Sequence, residues 1–210
     1  MLDNIRTTEN DISTKRKVLD SLLILALGVV LGVFSKALDA SAFNELPEVF
    51  QMLDVTNLLG RFSIWIFMAV CISVYSSSAK RAALNVFLFF LGMVTSYYLY
   101  STFVAGFFPM GYAMIWFGIT LVSPFLAYIC WYAKGKGWPT VAISGVIIGV
   151  LFSFAVFLFQ GIRISYIPEV IIWLASLIVL RREPKEFAVE IGISVVVAAL
   201  LQLLFPFLYG

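Results

Sequence analysis

LDSLLILALGVVLGVFSKAL, residues 19–38, carries no charge between Asp20 and Lys36. A bilayer core about 30 Å thick needs roughly 20 apolar residues of helix. Lipid offers no partner for a bare backbone N–H or C=O, so a run of this length and composition reads as a membrane-crossing helix. Six further runs follow at 60–78, 82–105, 111–132, 139–160, 165–181 and 187–207. The whole chain of 210 residues has a mean hydropathy of +1.01, with 62% hydrophobic and 12% charged residues. Soluble domains carry about a quarter charged residues, so that class is excluded. The fold class expected is an all-α integral membrane protein: a tail over residues 1–18, then one transmembrane helical domain over 19–210. Its bundle has seven helices, or six should the run at 165–181, broken early by Pro168 and Glu169, fail to cross.

Lysine and arginine in short loops are retained on the cytoplasmic side during insertion. With odd-numbered spans starting inside, Arg6, Lys15, Arg16, Lys17, Lys80, Arg81, Lys134, Lys136, Arg181, Arg182 and Lys185 share the cytoplasm, eleven of the fourteen basic residues. Lys36, Arg61 and Arg163 remain for the other face, beside Asp39, Glu45, Glu48 and Asp54. This places the N-terminus in the cytoplasm, the C-terminus outside, and the protein in a bacterial-type cell membrane as a multi-pass protein. No cleavable signal peptide is expected, because polar residues precede the first run and no small-residue cleavage site follows it. The leader reads as a mobile cytoplasmic tail, with a short amphipathic helix as the alternative. Cys71 and Cys130 fall inside spans and read as reduced packing residues.

The outer loop at 39–59, DASAFNELPEVFQMLDVTNLL, has Asn44 as a helix cap, Pro47 in the first turn, and Val49, Phe50, Leu53 and Leu58 at roughly helical spacing. That pattern describes a helix on the membrane surface, serving either as a lid over an outward-facing cavity or as a plain connector. GVVLGVFS at Gly28 to Ser35 returns as GVIIGVLFS at Gly145 to Ser153, 117 residues on. A parallel repeat of 19–105 and 139–207 would explain it, with the fourth span as the link, as in transporters that hold substrates between halves. The commonness of Gly, Val, Ile and Leu in spans is the competing explanation. Gly28 with Gly32 and Gly145 with Gly149 are expected to let helices approach closely, since small residues spaced by four do so in lipid.

The chain has no histidine, which removes the usual neutral-pH base and metal ligand. No paired intramembrane aspartates, GxSxG elbow, Walker motif or CxxC is present. Catalysis is therefore not expected, nor a metal or other cofactor, and the net charge of +2 gives no reason to invoke nucleic acid. Charges at membrane depth are costly and each demands an account. Lys36 and Asp39 share a helical face, either as an interfacial pair or with the ammonium in a cavity. Glu169 sits at the positive end of a helix dipole, with Arg163 close by as a partner, either at a polar outer site or as a salt bridge where the helix begins. Glu190 is expected to snorkel to the inner interface beside Arg182 and Glu186. Tyr97, Tyr98, Tyr100, Phe103, Phe107, Phe108, Tyr112 and Trp116 crowd the outer half, with Trp65 and Tyr166 at similar depth. Interfacial belts explain many of them, but three tyrosines in four positions point different ways, and one facing inward needs a hydroxyl partner. Ser123-Pro124 is a candidate hinge in the fourth span.

In layout the chain resembles the substrate-binding S components of energy-coupling-factor vitamin transporters. The likeness rests on its length, the cytoplasmic N-terminus, small residues every fourth position in the first span (Gly28, Gly32), and the long first outer loop. It implies a bundle that takes up a small solute from outside beside a coupling partner. Seven spans instead of six, and Ala26 and Val30 where that family commonly shows an alanine pair, depart from it. The expected function is binding and translocation of a small, partly apolar or aromatic solute. The candidate residues are Lys36, Trp65, Tyr97, Tyr98, Tyr100, Trp116, Arg163 and Glu169. The rival is a non-catalytic structural or accessory subunit, partnered by another membrane protein or by a second copy; a lipid-directed enzyme built on Glu169 and Arg163 is a third reading.

Overall fold

A computed structural model describes residues 5–8, 13–159 and 162–206, with the side chains of Phe43 and Arg163 outside that description. Each apolar run carries a helix. The first, α1 (Thr14–Ala40), begins where Ser13 Oγ accepts from Arg16 N at 3.4 Å, five residues before the hydropathy alone would start it. The following helices are α2 (Glu48–Met52), α3 (Val55–Gly60), α4 (Phe62–Tyr75), α5 (Ala79–Phe103), α6 (Met110–Cys130), α7 (Trp138–Ala155), α8 (Ile167–Val179) and α9 (Pro184–Leu204). Five of them are long and apolar enough to cross a membrane: α1, α5, α6 with its 3-10 extension to Lys134, α7 and α9. This is a predominantly helical architecture compatible with a polytopic membrane protein. At 1.5 Å per residue, α4 and α8, of 14 and 13 residues, reach only about 20 Å each, short of the hydrocarbon thickness.

Two helix pairs organise the molecule. α1 lies along α5, and α7 along α9. Glycine makes both contacts: a Cβ on Gly28 would sit 2.2 Å from the Phe89 carbonyl oxygen, and one on Gly32 would sit 2.2 Å from that of Met93. Gly92 repeats the device from the opposite side, against the Leu25 carbonyl. Ser96 Oγ donates across to Val29 O at 2.9 Å. In the second pair, a Cβ on Gly145 would meet Ile193 at 2.9 Å, and one on Gly149 would meet Ser194 O at 2.8 Å. Outer surfaces of α1 and α6 remain apolar and exposed, through Leu22, Leu23, Val30, Leu121 and Phe125 among others.

Several expectations are corrected. The helix of the fifth run ends at Ala155, where the chain turns into an antiparallel hairpin pairing β1 (Val156–Phe157) with β2 (Arg163–Ile164); residue 160, where the run was expected to end, lies outside the described residues. Gln202 of α9 serves the end of α7 there, donating to Ser153 O at 2.9 Å and Val156 O at 2.7 Å and accepting from Leu158 N at 2.9 Å. The outer loop holds two short helices instead of one, broken at Asp54, whose φ of 48° is left-handed; α2 takes Pro47, not Asn44, as its N-cap. The tail over 1–18 is not wholly mobile: residues 14–18 are helix, Ile5 O accepts from Lys136 N at 2.8 Å, and the Arg6 guanidinium stacks 4.3 Å from the Trp131 ring while donating to Val74 O at 2.9 Å. Pro124 sits inside a continuous α6. Its missing N–H leaves the Thr120 carbonyl open, and Ser123 Oγ donates to that oxygen at 2.9 Å.

Gly32→Ala and Gly149→Ala each force two backbones apart and are expected to lower the thermal midpoint of detergent-purified protein, at the roughly 1–3 kcal/mol typical of overpacking. Gly118→Ala, inside α6 with nothing within 4 Å of its would-be Cβ, does not lower the midpoint in the same melting assay and is expected to raise it slightly through helix propensity.

Candidate functional site

Close seating of α1 on α5 brings Lys36, near the end of α1, against aromatic residues that α5 and the following loop supply. The residue is 3% exposed. A buried ammonium is costly unless paired, and Lys36 Nζ is bonded to Asp39 Oδ2 one turn on. It also lies 4.7 Å from the Phe107 ring centroid and 5.3 Å from that of Tyr97, within the range where a ring face attracts a cation. Tyr97 Oη donates to the same Asp39 oxygen at 3.3 Å.

These groups form one wall of a cavity of about 320 Å³. α1 contributes Ser35, Lys36 and Asp39; α3 contributes Thr56, Leu59 and Gly60; α4 gives Trp65; α5 gives Met93, Val94, Tyr97 and Tyr98. Phe107, Pro109, Tyr112 and Trp116 close the remaining side. Trp65 is held by donation of Nε1 to Leu59 O at 2.8 Å and by an edge-on contact with Trp116 at 6.4 Å. Tyr98 is buried and stacks on Phe117 at 5.9 Å. Thr56 adds a hydroxyl oxygen that is enclosed and without a hydrogen-bond partner among the described residues. A mostly apolar, aromatic lining with few polar groups is the usual constitution of a small-molecule pocket.

The roof is the outer loop, and it is pinned to the bundle. Phe50 meets Phe34 edge-on at 6.0 Å, and Tyr166 Oη donates to Asp54 O at 3.0 Å. Arg61, directly after the roof segment, donates through Nη1 to Glu169 Oε2 at 3.2 Å and stacks 4.9 Å from the Tyr166 ring, while Ser63 Oγ donates to Glu169 Oε1 at 3.2 Å. One buried carboxylate on α8 therefore ties down the beginning of α4. At the opposite end, Arg182 donates to Ser144 Oγ at 3.0 Å, to Glu186 Oε2 at 3.2 Å and to Ala133 O, with fully buried Glu190 3.6 Å away. Glu190 thus turns inward to a buried arginine and does not snorkel outward.

Of the eight residues expected at a site, Lys36, Trp65, Tyr97, Tyr98 and Trp116 surround this one cavity. Tyr100, on the same helix as Tyr97 and Tyr98, does not line it, because its position turns it to another side of α5. Glu169 belongs to the neighbouring latch with Arg61 and Ser63. Arg163 lies in β2 with its side chain outside the described residues. The glycines Gly28, Gly32, Gly145 and Gly149 all sit at helix contacts. Arg61, Ser63 and Thr56 were not among the expected site residues; the charge of Arg61 at the mouth of an apolar run was the only signal for any of them. Among the described residues, no cluster of three or more His, Cys, Asp or Glu side chains is arranged to hold a metal ion. Comparison of the chain with protein-family models, with curated proteins and with solved structures finds no match.

Arg61→Gln leaves the buried Glu169 carboxylate without its cation and is expected to lower the melting midpoint and speed proteolysis of the 39–59 loop. Arg61→Gln with Glu169→Gln removes both charges and recovers most of that loss, since the cost of a broken pair falls on the buried charge left behind. A double variant as unstable as R61Q alone contradicts the latch.

Proposed function

We propose that this protein crosses the cell membrane seven times, with its N-terminus in the cytoplasm and its C-terminus outside. In this reading it binds a small, partly apolar or aromatic solute in the outer half of the bundle and helps it across. Support for the orientation is that Arg6, the helix ends carrying Lys17, Arg81 and Lys134, and Arg182 in the connection before α9 meet at one end, where Arg6 touches Val74 and Trp131 and Arg182 touches Ala133; basic residues of that density stay inside. α4 and α8 would complete their crossings with the helical roof segment and the hairpin that precede them. The α1–α5 and α7–α9 pairs, each sealed by glycines spaced by four, support a relation between two halves with α6 as the link.

The observation that carries the binding role is the buried Lys36 ammonium in an aromatic cavity under a pinned roof. The solute's flat apolar body would lie against Trp65 and Trp116, and a polar group would compete with Asp39 for the ammonium. Loosening of that ion pair frees Tyr97 and the roof beside it, which links occupancy to opening.

A panel of vitamins, nucleobases and aromatic metabolites tested by thermal stabilisation decides the matter. A ligand at a hundredfold excess over its Kd contributes about 2.7 kcal/mol, several degrees of midpoint. At least one compound is expected to stabilise the protein, to quench tryptophan fluorescence, and to lose both effects in Lys36→Met and Trp116→Ala. Silence across the panel, together with unchanged behaviour of both variants, points instead to a structural or accessory subunit recovered with a membrane-protein partner.

A further inference from the structure

A second recess lies at the basic end, between the start of α1 and the turn joining α4 to α5. It measures about 410 Å³. Its floor is a connected polar network: Arg81 Nη2 donates to Lys17 O and to Ser21 Oγ at 2.6 Å, Ser21 Oγ donates to Asn85 Oδ1 at 2.7 Å, and Asn85 Nδ2 donates to Ser76 Oγ at 3.2 Å. That network holds the Arg81 guanidinium in the recess, with Arg16 and Lys17 above it and one carboxylate, Asp20, at the rim. Three positive groups against one negative leave the recess an excess of two charges.

Depth sorts the lining by polarity. Leu23 and Ile24 lie seven or eight residues past Arg16 on α1, roughly 11 Å deeper at the rise of an α-helix. Ile72 lies on α4 before the Ser76–Ser77 turn and faces the same space. The recess is therefore basic and hydroxyl-rich at the end of the bundle and apolar toward its middle. It adjoins the exposed Val18, Leu19 and Leu22. A soluble anion has no use for the apolar part, and an apolar solute has none for the arginines. We propose that this recess binds a glycerophospholipid with a single negative phosphodiester and a hydroxyl-bearing headgroup, of the phosphatidylglycerol class. The phosphate would lie between Arg16, Lys17 and Arg81, a headgroup hydroxyl would donate to Asp20, and an acyl chain would run down past Leu23 and Ile72. Basic recesses between helices at a membrane surface attract anionic headgroups on electrostatic grounds.

The test uses the purified, delipidated full chain in a neutral detergent, titrated with dioleoylphosphatidylglycerol, dioleoylphosphatidylcholine or sodium phosphate, with the melting midpoint as readout. Phosphatidylglycerol is expected to raise the midpoint while the other two do not. R16Q/K17Q is expected to weaken the response about tenfold or more. It keeps the Lys17 carbonyl for Arg81, so the floor is preserved. K15Q/K80Q removes the same charge from the same end outside the recess and is expected to bind within about twofold of the parent. Should R16Q/K17Q not be recovered folded, Ser77→Glu places a carboxylate on the rim and is expected to weaken binding likewise. The proposal is overturned if phosphatidylcholine matches phosphatidylglycerol, if sodium phosphate alone reproduces the shift, or if R16Q/K17Q and K15Q/K80Q respond alike. None of these outcomes bears on the aromatic cavity, whose test uses other ligands and other variants.

Discussion

Gly28 and Gly32 bring the α1 backbone so near α5 that the carbonyls of Phe89 and Met93 lie where a side chain would begin. In lipid, helices gain little from burying apolar surface against one another, because hydrocarbon chains are as apolar as leucine. Association then rests on close van der Waals contact and on hydrogen bonds such as Ser96 to Val29. This contact sets the azimuth of α1. Lys36 lies on the same face as Gly28 and Gly32, one further turn along, so the geometry that seats the glycines also turns the ammonium inward. Any rotation of α1 that exposed Lys36 to lipid would first have to separate the two backbones.

The two ends of the bundle handle charge differently. At the end that holds the cavity a few charges are buried singly and each is given a partner: Lys36 with Asp39, and Glu169 with Arg61 and Ser63. The Lys36–Asp39 pair lines the cavity, and the Glu169 cluster holds the mouth of α4 beside it. At the basic end many charges gather at the surface, and arginines serve as caps for helix C-termini, Arg6 on Val74 and Arg182 on Ala133. Those carbonyls would otherwise be unsatisfied. The basic end is thus rigidified by arginines that close helix ends, while the opposite end combines a cavity with paired buried charges.

Much of the helical layout was legible because long apolar runs favour helices, although only five of those runs hold a helix long enough to cross a membrane. Each run contains a helix, and spacing by four marked Gly28, Gly32, Gly145 and Gly149 as contact points. Depth was legible too, since position along a helix follows from counting; Lys36, Trp65, Tyr97, Tyr98 and Trp116 stand at one level for that reason. Azimuth was not, and Tyr100 was grouped with its neighbours although a single residue turns about 100° on a helix. Backbone breaks were also hidden. Nothing in the hydropathy of the fifth run reveals that Ala155 ends the helix, and the left-handed turn at Asp54 falls inside a pattern that looks continuously helical. Arg61 and Glu169 meet only because α4 and α8 pack together, a pairing that no local spacing encodes.

The central claim is that the basic end and the roofed aromatic cavity lie on opposite sides of the membrane, cavity outward. The direct measurement is labelling of single cysteines in intact cells with a membrane-impermeant maleimide, after Cys71→Ala and Cys130→Ala. Met52→Cys, 85% exposed on the roof segment, is predicted to label at once, whereas Lys136→Cys in the loop before α7 labels only after the membrane is permeabilised. Labelling of both without permeabilisation, or of Lys136→Cys alone, would contradict the account.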